Sequence, residues 1–96
     1  MKKKFILRKT PYGNMEIDFY ESGGHCITEN GSFLNYYGNG IIEIVTKHSD
    51  NFCETLAELL SINTGLEIGA LTGPHISNQY GGTGIIAVFR YRTDKH

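Results

Sequence analysis

Ninety-six residues, 40% of them hydrophobic and with a formal net charge of −1, suffice for one compact domain spanning 1–96 and exclude wholesale disorder. A balance this close to neutral also argues against broad affinity for nucleic acid. No apolar run approaches a membrane span or a signal-peptide core, since residues 5–7 stop at Arg8, so a cytoplasmic chain is expected.

Twelve glycines, six tyrosines and five phenylalanines, against two prolines, read as strands joined by tight turns. Residues 3–9 are expected as the first strand, and residues 10–14 (TPYGN) as a turn. Residues 15–20 alternate, with Met15, Ile17 and Phe19 on one face and Glu16, Asp18 and Tyr20 on the other. The two strands form a hairpin, with Phe5 and Leu7 on the apolar face and Lys4, Ile6 and Arg8 opposite, beside Glu16 and Asp18. Residues 22–24 turn again, and 25–29 (HCITE) form a short strand. Asn30 and Gly31 suit a type I′ hairpin turn, and residues 32–37 return. A Gly-Asn-Gly turn leads to 41–47 (IIEIVTK), whose β-branched content suits a central strand.

A helix follows over about 50–62. Ser49 or Asp50 can cap it, and Phe52, Cys53, Leu56, Ala57, Leu59 and Leu60 make its apolar stripe. Gly65 is placed to end it. Residues 66–71 are expected as a short strand, 72–84 as the least regular segment with a brief strand near 76–80, and 85–92 (IIAVFRYR) as a strong final strand. The fold class is α+β: a small, mostly antiparallel or mixed sheet of five to six strands with one helix on one face.

Charge is strongly segregated. Residues 1–10 hold Lys2, Lys3, Lys4, Arg8 and Lys9 with no acid, and residues 90–96 hold Arg90, Arg92 and Lys95 against Asp94. Between them stands only Lys47 against nine carboxylates, so the three segments carry +5, −8 and +2, which sum to −1. Pairing across the first hairpin accounts for part of the N-terminal cluster. Arg90 and Arg92 follow a glycine loop, Gly81, Gly82, Thr83 and Gly84, preceded by Tyr80. Successive glycine N–H groups can converge on an anion. If the first and last strands are neighbours, Arg8 joins them in a site for a nucleotide or phosphorylated metabolite. The loop lacks the Gly-Lys-Ser/Thr of a Walker A motif, and a strand rather than a helix follows it, so it is not a dinucleotide fingerprint.

Other constellations are weaker. No Cys-x-x-Cys or His-x-x-x-His spacing occurs, so no metal or other cofactor is expected. Cys26 and Cys53 are expected as free thiols. A compact enzyme would use a Cys–His pair, with Cys53 near a helix N-terminus and His48 or His75 as its base. Glu43, inside an apolar strand, is read as marking the strand's solvent side. Turn-proximal tyrosines, Tyr12, Tyr20, Tyr36, Tyr37 and Tyr80, suit either a recognition surface or the ends of a small core. The favoured reading is a non-catalytic interaction or regulatory protein. It acts as a homo-oligomer, or on a protein partner, through the sheet face that the helix leaves uncovered.

Overall fold

A computed structural model describes residues 2–11, 13–29, 31–77 and 84–92. The expected α+β architecture is present. In chain order the elements are β1 (Lys2–Thr10), β2 (Gly13–Tyr20), β3 (Gly24–Ile27), β4 (Phe33–Tyr36), β5 (Ile41–Thr46), α1 (Asp50–Thr64), β6 (Ile68–Ser77) and β7 (Gly84–Tyr91). They form a two-stranded sheet, β1-β2, and a five-stranded sheet of order β3-β4-β5-β7-β6, in which every pairing is antiparallel.

The first hairpin forms in the expected register. Phe5 stands opposite Ile17 and Leu7 opposite Met15, while Lys4 faces Asp18 and Ile6 faces Glu16. Lys4 forms its ion pair diagonally, with Glu16. The apolar side of this hairpin docks on the larger sheet. Leu7, Met15, Ile17 and Phe19 are buried in one cluster with Leu34, Tyr36, Ile42, Ile44, Ala87, Phe89 and Tyr91. The helix completes that cluster through Phe52, Cys53, Leu56, Ala57 and Leu60. Helix and hairpin thus share the same face of the sheet. The helix lies against β5, β6 and β7, and Phe19 reaches Tyr36 on β4 and Tyr91 on β7.

Local chemistry sets the helix ends. The Ser49 hydroxyl accepts a hydrogen bond from the Phe52 N–H, and Gly65 closes the helix at φ 74°, its N–H bonded to the Ser61 carbonyl. The helix runs two residues past the expected end. Asn63 and Thr64 donate side-chain hydrogen bonds back to the carbonyls of Leu59 and Leu60, so these polar residues extend the last turn. No helix among the described residues is long and apolar enough to cross a membrane.

The segment after the helix differs from expectation. Residues 72–77 are not irregular: β6 continues through Ser77, paired with β7, with register shifts between Ala70 and Thr72 and between Thr72 and His75. These irregularities accommodate Gly73 and Pro74. The strand tolerates them because it lies at the sheet edge, where the missing proline N–H breaks no ladder. The remainder of the expected 76–80 strand, residues 78–80, lies outside the described residues.

Candidate interaction surface

Alternation along the strands leaves a second face to the five-stranded sheet, and the register assigns its rows. One row reads Ile27, Phe33, Val45, Ile86, His75 across β3, β4, β5, β7 and β6. The next reads His25, Asn35, Glu43, Val88, Thr72. A third brings Ile41, Arg90 and Gly69 side by side. Helix and hairpin both occupy the opposite face, yet Val45 and Ile86 on this side are buried as well.

The first row is apolar over four strands. Val45 and Ile86, side by side at its centre, are 6% and 5% exposed, whereas Ile27 at its end is 60% exposed. Tyr37 is exposed, but Tyr36 and Tyr91 are core residues. The signal for an apolar row lies in 41–46, where both alternating sets are apolar apart from Glu43 and Thr46. A strand apolar on both sides is apolar on the side the helix does not cover.

Glu43 occupies the centre of the second row. Its Oε1 accepts hydrogen bonds from Asn35 Nδ2 at 2.8 Å and Tyr37 Oη at 3.0 Å. The carboxylate is held in one orientation, half-buried, on the uncovered side, which fits the expectation for it. Arg90 lies on the neighbouring strand, one row further along, and is exposed.

The described members of the expected anion-binding set, Arg8, Gly84, Arg90 and Arg92, are spread over two sheets. Tyr80, Gly81, Gly82 and Thr83 lie outside the described residues. Gly84 begins β7, and Arg90 and Arg92 lie at its other end. Six residues of strand separate Gly84 from Arg90 by about 20 Å, more than one small metabolite spans. Arg8 is on β1, whose only strand partner among the described residues is β2, while β7 lies between β5 and β6. The first and last strands are therefore not neighbours, and the condition for a three-arginine site fails. Contact between the two sheets near Arg90 runs through Phe19 and Tyr91, and Phe19 pairs with Lys3, at the end of β1 away from Arg8.

What remains near each end of β7 is shallow. Arg90 and Arg92 border a groove of about 350 Å³ along Glu67, Ile68 and Leu71. Gly84 borders another of about 380 Å³ with Lys47, Asp50 and His75. Each mixes a carboxylate with its cations, so neither presents a single sign of charge.

The thiols are separate and reduced. Cys53 is fully buried on the helix face. Burial, with smaller contributions from the Asp50 and Glu54 carboxylates, pushes its thiol from about 9 up to about 11. These effects outweigh the N-terminal helix position, so the thiol is protonated at neutral pH and poorly suited to nucleophilic attack. Burial also raises Cys26, whose Sγ donates to the Asp18 carbonyl oxygen. No cluster of three potential metal ligands occurs among the described residues.

The Cys53 shift carries a pH dependence. The unfolded thiol ionises near 9, while the folded one keeps its proton to about 11. The unfolded state therefore binds fewer protons in that window, and stability falls as pH rises from about 9 to 11. Urea melts at pH 7.5, 9 and 10.5 should show that fall. Cys53→Ala should reduce the slope, leaving the part that Cys26 contributes; an equal slope in the variant would assign the whole effect to other groups.

The chain matches no family model, no curated protein and no solved structure.

Proposed function

We propose that this chain is a non-catalytic interaction protein whose working surface lies on the face of its five-stranded sheet opposite the helix and hairpin. The observation that carries the reading is the β3 end of the row, where Ile27 is 60% exposed beside a half-buried Phe33. An exposed apolar side chain with a polar rim is the kind of surface a partner covers. The rim is supplied by His25, Asn35, Glu43 and Thr72, with Arg90 beyond them. Chemistry has less support: the buried thiol of Cys53 is protonated, and Glu43 is bound by neighbours on an open surface rather than in a cleft. A reducing, cytoplasmic setting belongs to this reading, since Cys26 and Cys53 stand as separate thiols.

Site-specific photo-crosslinking in cells tests it. Phe33→p-benzoylphenylalanine places the reactive group in the apolar row, and Glu58→p-benzoylphenylalanine places it on the exposed side of the helix. Discrete adducts from position 33 and none from position 58 are expected. No adduct from position 33, or equal adducts from both, would overturn the reading.

A further inference from the structure

We infer that Asn39, in the turn between β4 and β5, is a site of covalent modification: the Gly40 nitrogen displaces its side-chain amide, leaving aspartate or isoaspartate. The role given to the sheet face plays no part in this.

The chemistry needs a side-chain amide, a neighbouring backbone nitrogen that can reach it, and a chain free to bend between them. Asn39 is exposed, and it is the one asparagine among the described residues that lies outside a strand or helix. Asn14, Asn35, Asn51 and Asn63 sit inside β2, β4 and α1, where the backbone is held and the next residue carries a side chain. Gly40 brings no side chain to shield its nitrogen. Its N–H makes no hydrogen bond among the described residues. The Ile41 N–H, by contrast, donates to Asn39 Oδ1 at 3.3 Å. That bond folds the amide back over the turn and polarises its carbonyl. It also stands where negative charge gathers during attack, the position in which a fixed N–H donor lowers a barrier.

The step balances with water alone. Hydroxide takes the Gly40 amide proton, and the nitrogen attacks Asn39 Cγ. A C–N bond forms, the Cγ–Nδ2 bond breaks, and ammonia leaves with a proton drawn from water. Water then opens the resulting succinimide. Opening at Cγ gives aspartate, and opening at the main-chain carbonyl gives isoaspartate. Either product moves the formal net charge from −1 to −2. Isoaspartate also adds one carbon to the main chain immediately before Gly40. The Gly40 carbonyl accepts the Tyr91 N–H at 2.9 Å, and the Tyr37 N–H closes the turn on the Ile41 carbonyl at 3.1 Å. The inserted carbon therefore loosens the turn's hold on the end of β7.

Tandem mass spectrometry of the full chain, aged at pH 7 and at pH 9, tests the inference. Asn39 should gain the mass of an amide turned to an acid, roughly tenfold faster at pH 9, because hydroxide carries the first step. Asn14, Asn35, Asn51 and Asn63 should stay intact over the same period. Gly40 is buried, so the chain unfolded in urea sets the rate without shelter, and the folded protein should react within about tenfold of it. Asn39→Asp supplies the charge without the inserted carbon, and the aged isoaspartate form should melt below it. Asn39 intact in the folded protein over a time that converts it in urea would overturn the inference. So would conversion spread evenly over the described asparagines, or a rate indifferent to pH.

Discussion

Phe19→Ala is expected to remove a third or more of the protein's stability at 25 °C. Phe19 is 1% exposed, and its ring meets Phe5 at 6.4 Å, Tyr36 at 5.1 Å and Tyr91 at 5.5 Å. Its ring contacts reach β1, β4 and β7, so it joins the hairpin to the sheet. Truncating a buried Phe costs about 3–5 kcal/mol, and losing three aromatic neighbours places this site toward the upper end. A domain of this length has about 5–14 kcal/mol to lose. Urea unfolding followed by circular dichroism should show the midpoint falling by about a third or more. Phe5→Ala, on the partly buried rim, should cost less. A Phe19→Ala midpoint within a tenth of the parent would mean that hairpin docking contributes little.

Gly24→Ala is expected to cost about 2–4 kcal/mol, through crowding and backbone strain together. A methyl group there would stand 2.7 Å from Tyr20 Cγ, with the ring's two Cδ atoms next nearest, at a φ of 156° that side-chain-bearing residues rarely adopt. The obstruction is the root of the ring rather than a flexible tip. Tyr20 must therefore swing away, breaking its packing on Tyr36 at 5.9 Å. Gly69→Ala provides the control, because nothing lies within 4 Å of its added carbon. Thermal melts should separate the two clearly. Equal shifts would mean that Tyr20 relaxes without cost.

The parts of this fold legible in the sequence are those fixed by local rules. Alternation from Met15 to Phe19 gave the hairpin and its register, and the spacing of Phe52, Cys53, Leu56, Ala57 and Leu60 gave the helix and its buried side. Residues 72–77 were illegible because their strand character comes from β7. Gly73 and Pro74 break the local pattern, and only a neighbour's ladder, with two shifts in register, restores it. Strand order lay equally out of reach. Arg8, Arg90 and Arg92 looked like one cluster because both basic segments are terminal, but nothing local states that β7 inserts between β5 and β6. The uncovered row was half legible: Val45 and Ile86 are apolar on their strands, yet their adjacency is a fact of register.

That β7 lies in the middle of the sheet has a consequence for how the chain is made. It emerges from the ribosome after every other strand described here, yet both β5 and β6 need it. Until residues 84–91 have been synthesised, those two strands are raw edges, and Phe89 and Tyr91 are missing from the core. The N-terminal meander, β1 to β5, can zip by short local turns, so it forms early. It then waits, incomplete and adhesive, for its central plank. Nascent chains stalled before Gly84 should therefore be the vulnerable species, drawing chaperones or clumping with one another. The emergence of β7 is the moment at which the domain closes.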